Sequence, residues 1–256
     1  TVAARYQIDP RAVPLEEMVK YVRETSKAVA GLDQQVAFNY IAASTSLVRQ
    51  LFCSSEGADI DQCWAISGGM CFVVAQGQEG HQELYDYVGH QRGWEVITQG
   101  VDEEYIQRPD LHSFSLELAR DTVALAGCRP LKASDHEVTV VTDPHYNALV
   151  CHEIVGHPTE LDRALKFETG YAGRSWLLKD LKANQVGQRV GSELLTAFTD
   201  ATLSGFGHYL YDDEGTPAKR VYHIRNGVFE GFMNSRQTAA LLGAEPNGSY
   251  KATDAS

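Results

Sequence analysis

Apolar residues fall at helical spacing in some stretches of the chain and at strand spacing in others. Leu15, Met18, Val19 and Val22 make one stripe of a helix predicted over residues 14–31. Pro14, Glu16 and Glu17 suit its first turn, and Gly31 suits its stop. Residues 35–54 and 63–76 are rich in Val, Ile, Phe, Tyr and Thr and predict long strands. Phe72-Val73-Val74 is continuously apolar, which predicts burial on both faces. Tyr85, Tyr87 and Trp94 sit among turn residues over 81–99 and predict a further strand pair. A second helix is expected over 110–126, with Leu111, Phe114, Leu118 and Leu125 on one face and Gly127 after it.

Pro130 to Ser134 reads as a boundary. Beyond it come a short strand at Val138–Val141, then a helix over about 145–157 with Asp143 as N-cap and Pro144 in its first turn. Residues 164–190 are weakly periodic and predict a loop or lid. Strand-like runs follow at Leu194–Leu203, Arg220–Ile224 and Val228–Phe232. Asp212–Gly215 forms a turn, Asn226-Gly227 a hairpin signal, and a short helix is expected near 235–242. The class is α+β. An N-terminal mixed α/β domain with long strands and packed helices is expected over 1–130, and a β-rich domain with one prominent helix over 131–256.

Composition narrows the function. With 34 acidic and 22 basic residues, the formal charge is −12, which argues against nucleic acid as the main partner. No run approaches the ~18 apolar residues of a membrane span. The five cysteines Cys53, Cys63, Cys71, Cys128 and Cys151 are irregularly spaced, with no Cys-x-x-Cys, and fit reduced thiols in the cytoplasm. Cys53, Cys63 and Cys71 are expected as small buried hydrophobes, and Gly68-Gly69 as a bulge or a close backbone approach.

The stretch that carries chemistry is His152-Glu153-Ile154-Val155-Gly156-His157. The better-known zinc-peptidase motif, His-Glu-x-x-His, places its histidines four apart on one helical face. Here they are five apart, about 140° out of line on an ideal helix at about 100° per residue. A π-bulge or a break must re-phase the helix, and Gly156 is where the sequence suggests it. So aligned, the two imidazoles suit Zn²⁺, and Glu153 is placed to take a proton from water and return it to a leaving amine. Taken alone, such a match is a hypothesis, and its surroundings carry it further.

Pro158-Thr159-Glu160-Leu161-Asp162 follows the motif. Tyr211-Asp212-Asp213-Glu214-Gly215-Thr216-Pro217, Ile224-Arg225-Asn226-Gly227-Val228 and Gly231-Phe232-Met233 come later in the same order. Together these resemble the TldD/PmbA family, once called modulators of DNA gyrase and now regarded as metallopeptidases. The chain resembles the TldD type, which carries the HExxxH motif, rather than the partner type, which lacks it. The resemblance implies zinc-dependent cleavage of unfolded peptides, with Zn²⁺ on His152 and His157 and with Glu153 as general base. It implies a third ligand, a cysteine from a later segment, expected beyond Ser256 because no cysteine follows Cys151; the chain therefore reads as a fragment. It also implies a homodimer, or a heterodimer with a PmbA-type partner. The missing third ligand supports the alternative of a non-catalytic subunit with a vestigial site. A regulatory binding protein is a further alternative, and the acidic balance weighs against a DNA-linked one.

Around the motif, Glu160 and Asp162 are candidates to orient the histidines, or are plain surface acids. Cys151 adjoins His152 and points about 100° away, a poor substitute ligand. His208 and His223 are expected to be exposed or structurally bonded, as substitute ligands only in the sharper reading. Asp212, Asp213 and Glu214 lack the spacing of a calcium loop and predict a turn.

Overall fold

The computed structural model describes residues 1–133, 135–167, 173–181 and 183–252. They cluster into two units. The first contains Thr1–Leu51, Asp61–Asp135 and Gly205–Gly207; the second contains Phe52–Ile60, His136–Ser204 and the residues from His208 onward.

The first unit is a sheet with helices packed on one face. After α1 (Leu15–Ala30) come β1 (Val36–Cys53), β2 (Asp59–Gly77) and β3 (Gly80–His90), in the order β1-β2-β3. The β2–β3 pair is antiparallel and in unbroken register from Ser67↔His90 to Gly77↔Gly80. The period of two sends Cys71, Val73 and Val88 into a core with Val29, Ile97, Leu111 and Phe114. The opposite face leaves Phe38, Tyr40, Tyr85 and Tyr87 more than half exposed. Phe72 and Val74 are therefore only half-buried, correcting the expectation of cover on both faces. Gly68-Gly69 makes no bulge. A Cβ on Gly69 would stand 2.8 Å from the Leu111 methyls, so the glycine serves close approach.

The strand pair expected over 81–99 is also corrected. β3 stops at His90, and α2 (Glu95–Gln99) follows. The reason is Glu95, which is buried and whose carboxylate accepts from the backbone N–H groups of Gln7, Ile8 and Gly93 at 2.8–3.1 Å. That clamp turns the chain so that Trp94, Val96 and Ile97 enter the core from a helical turn. A small hairpin, β4 (Val101–Glu103) and β5 (Ile106–Arg108), leads to α3 (Leu111–Ala126). Asp110 caps α3 by accepting from His112 and Ser113.

The second unit is built of shorter pieces. Val138–Val141 forms no strand, and Val138, Val140 and Val141 are 71–94% exposed. A β-branched run has no ladder to join where no strand lies beside it. The expected strand at Leu194–Leu203 contracts to β8 (Ala197–Thr199), which pairs with β9 (Val221–Arg225). β9 turns through Asn226 (φ 48°) and Gly227 (φ 79°) into β10 (Val228–Phe229), the hairpin its sequence signals. Of the loop or lid expected over 164–190, the short pair β6 (Leu178–Asp180) and β7 (Ala183–Asn184) is formed, while 168–172 and 182 lie outside the described residues. A further helix, α5 (Arg236–Leu242), starts from a capping box between Ser235 and Thr238. Among the described residues, no helix is long and apolar enough to cross a membrane.

Cys71 is buried, Cys63 half-buried and Cys53 exposed at the end of β1, so the buried reading fails for Cys53. All five cysteines are free thiols. Burial pushes the Cys71 thiol above its ordinary pKa.

Candidate metal centre

α4 (Pro144–Cys151) starts at the Asp143 cap, whose side chain accepts from Tyr146 N–H. At His152 the helix widens into a π turn over His152–Gly156, and the N–H of His157 donates to the His152 carbonyl five residues back. The expectation of a re-phased helix is met, but not by glycine's special freedom. Gly156 has ordinary right-handed angles (φ −54°, ψ −71°), and a Cβ there would make only van der Waals contact. Pro158 supplies a local reason. It has no N–H, so the α-helical bond to the Ile154 carbonyl cannot form. The buried Thr159 hydroxyl donates to the carbonyls of Val155 (2.8 Å) and Gly156 (2.9 Å), occupying acceptors the π turn leaves open. Val155 anchors the turn in a core with Leu161, Leu178, Ile224, Phe229 and Phe232.

The extra residue brings the two rings together. His152 Nε2 and His157 Nε2 lie 2.8 Å apart, the rings edge to face at 4.3 Å between centroids. Glu153 Oε2 stands 3.9 Å from His157 Nε2, its side chain 57% exposed. Among the described residues, His152, Glu153 and His157 are the group whose donor atoms converge closely enough for one ion, all within 4.8 Å. The donor chemistry fits Zn²⁺. Two nitrogens on one tetrahedral ion at roughly 2.0–2.1 Å stand about 3.3 Å apart, and a slight opening of two side chains on an exposed face reaches that spacing.

Glu160 is brought to the pair and Asp162 is not. Glu160 Oε1 lies 3.2 Å from His157 Nδ1, and its Oε2 accepts from Arg163 Nε (2.8 Å) and Nη2 (2.5 Å). Asp162 accepts instead from the Arg163 backbone N–H. Cys151 is exposed and outside the donor group.

The other candidates have structural partners. His223 is buried, with Nε2 at 2.6 Å from Thr199 Oγ1 and Nδ1 at 3.1 Å from the Gly231 carbonyl. Burial holds its pKa below the ordinary imidazole value, partly offset by the Gly231 bond. His208 Nδ1 lies 2.9 Å from the Ala201 carbonyl. Asp212 is buried at the turn, accepting from Glu214 and Thr216 N–H through Oδ1 and from Tyr250 N–H through Oδ2. Gly215 completes that turn at φ +76°. Sequence reasoning missed Arg163, because a charged residue three after Glu160 looks like any exposed helical pair.

Comparison with known proteins places this chain in a family. Residues 8–127 match the PmbA/TldA metallopeptidase central domain, and residues 135–255 the PmbA/TldA metallopeptidase C-terminal domain. A metalloprotease of Methanocaldococcus jannaschii is 28% identical over 247 residues, 96% of this chain and 49% of that protein. A zinc metalloprotease TldD homolog of Saccharolobus solfataricus is 30% identical over 242 residues, 93% of this chain and 48% of that protein. The chain thus spans about half the length of the curated relatives it matches. The crystal structure of TldE from Thermococcus kodakarensis shares the fold at a TM-score of 0.66 and 17% identity, over 100% of this chain and 54% of that one. On these two domain matches, and on the motif the π turn carries, the chain belongs to the TldD/PmbA metallopeptidase family.

Proposed function

We propose that this chain forms part of a zinc-dependent metallopeptidase that cleaves unfolded peptides with water as nucleophile. His152 and His157 hold the ion through Nε2, and the third ligand is a cysteine from a segment following Ser256, as the family resemblance implies. The observation that carries the reading is the 2.8 Å approach of the two Nε2 atoms across a π turn. Without that turn, residues five apart face different ways.

When bound, zinc supplies Lewis acidity, polarising a peptide carbonyl and making water acidic enough to ionise near neutral pH. The chain's own residues do the rest. Glu153 Oε2 stands beside the paired nitrogens on the exposed side, where it takes the proton from attacking water. The same carboxyl returns that proton to the departing amine nitrogen, so one residue serves both halves of hydrolysis. His157 is braced from behind by Glu160.

The uncovered aromatic face of the long sheet, with Phe38, Tyr40, Tyr85 and Tyr87, favours assembly with a second subunit, a copy or a PmbA-type partner. Five free thiols are consistent with a reducing compartment and favour the cytoplasm.

The test is hydrolysis of a disordered peptide by the zinc-loaded protein. Glu153→Gln removes the base and keeps the ligands, and should cost roughly 10²–10⁴-fold in rate with zinc content unchanged. Equal rates in the two proteins would exclude Glu153 as the base.

A further inference from the structure

We propose that Arg163 is a positioning residue for the centre: through Glu160 it holds His157 with Nδ1 protonated and the Nε2 lone pair turned toward His152. What that lone pair binds rests on the metallopeptidase reading. The placement of the proton rests on geometry alone.

The chain of contacts has one consistent hydrogen assignment for neutral rings. An ionised carboxylate only accepts. Glu160 Oε1 lies 3.2 Å from His157 Nδ1, so that nitrogen carries the hydrogen. Nε2 of His157 is then the acceptor, and the His152 Nε2 facing it at 2.8 Å is the donor. His157 is thereby already in its ligand form. His152 must move its hydrogen to Nδ1 before its Nε2 can bind an ion.

Glu160 needs Arg163 to stay in place. Its side chain is 33% exposed, so on its own it is free to swing into water. Arg163 prevents this with two donors on one oxygen, Nε at 2.8 Å and Nη2 at 2.5 Å. The backbone fixes the other end. Leu161 N–H donates to the Met233 carbonyl, and Met233 N–H to the Thr159 carbonyl, bridging Glu160 to the segment that carries Phe232. The Gly231-Phe232-Met233 segment thus acts on the centre from a distance in sequence, holding the Glu160 backbone while Arg163 holds its carboxylate.

Arg163 is a costly way to secure a mere turn. Its side chain is 4% exposed, and its Nη1 has no hydrogen-bond partner among the described residues. Burying a guanidinium with one nitrogen unpaired opposes folding. A role in orienting His157 accounts for its burial there. Carboxylates behind ligand histidines commonly fix the ring's tautomer, and losing one typically weakens metal binding 10–100-fold.

The experiment records long-range ¹H–¹⁵N spectra of the histidine rings in the metal-free protein, above the ordinary imidazole titration range, followed by titration with zinc alone. In the unmodified protein His157 should appear as the Nδ1–H tautomer. In Arg163→Met it should become a mixture, with zinc affinity lowered 10–100-fold and partly restored in Arg163→Lys. His223, whose Nδ1 faces the Gly231 carbonyl, should keep its Nδ1–H signal throughout and reports an intact fold. If the His223 signal is lost in Arg163→Met, the double variant Arg163→Met/Glu160→Met removes both charges and should show the same His157 mixture. An Nε2–H tautomer at His157 in the unmodified protein overturns the proposal. So does an unchanged tautomer and unchanged zinc affinity in Arg163→Met with His223 intact. If the unmodified protein takes up no zinc, the two histidines do not hold the ion without the third ligand, and the tautomer comparison still decides for or against Arg163.

Discussion

The two units secure their backbones by different means. In the first, one ladder of eleven residue pairs, from Ser67↔His90 to Gly77↔Gly80, satisfies most of β3, and sixteen-residue helices cover the inner face. In the second, described strands run two to five residues, and side chains stand in for the ladder. Asp212 serves three N–H groups, Thr159 two carbonyls, and Asn247 accepts from Asn234 N–H while donating to the Phe232 carbonyl. The proposed chemistry lies in the second kind of structure. A π turn is rare in a regular helix and persists where tertiary contacts hold it. Val155 in the core and Thr159 beneath the turn are such contacts.

The contrast predicts where each unit breaks. The largest effect is expected where the regular unit departs from its own pattern. Glu95→Ala leaves three N–H groups without their charged acceptor, each such bond contributing about 1.5–3 kcal/mol before any relaxation or solvation. The expected loss is about 3–5 kcal/mol, read by urea unfolding with hydrogen exchange on α3; a loss under about 1 kcal/mol would show the clamp to be dispensable.

Next comes the β9–β10 hairpin. Gly227 has φ +79°, and a Cβ there would stand 2.4 Å from the Gly191 carbonyl oxygen. Gly227→Ala should cost about 2–3 kcal/mol, combining left-handed strain of about 1–2 kcal/mol with the displaced carbonyl. Thermal unfolding followed by a probe in the second unit checks this, and an unshifted midpoint would contradict it.

A smaller effect comes from His223. Its pKa is lower folded than unfolded because burial disfavours the charged ring. The stability it contributes is therefore complete above the unfolded value, about 6.5, and is lost as pH falls through the lower folded value. The slope is at most about 1.4 kcal/mol per pH unit. Denaturant midpoints of the second unit should fall on acidification below that point, and His223→Asn should flatten the fall. A slope unchanged by the substitution would assign it to other groups.

The smallest expected loss belongs to the regular unit. Asp110→Ala removes the α3 cap and should cost about 1 kcal/mol. The mid-helix ladder is untouched, so exchange protection should drop only in the first turn of α3.

The same contrast explains what was legible in the chain. α1, α3, β1 and β2 follow from periodicity because each buries a single stripe or face, as Leu111 and Phe114 or Cys71 and Val73 show. Asn226-Gly227 and Asp143-Pro144 were legible because backbone chemistry alone dictates them. Val138–Val141 misled because β propensity is realised only beside another strand. Trp94–Ile97 misled because Glu95, acting across 87–88 residues, set the local conformation. At the centre, the five-residue spacing demanded a distorted helix, and the turn is there. Its cause lay in Pro158 and Thr159 rather than in Gly156. Arg163 was invisible because nothing in sequence separates a buried guanidinium from an exposed one.

In the proposed reading, the π turn makes His152 and His157 one metal site. Zinc content by elemental analysis, on the protein and on His152→Ala purified without chelator, decides whether they are. About one zinc per chain in the unmodified protein, and none in the variant, is the predicted result. Zinc absent from both would contradict it, leaving the paired histidines an incomplete or vestigial site in this chain, and zinc retained by His152→Ala would place the metal elsewhere in the chain.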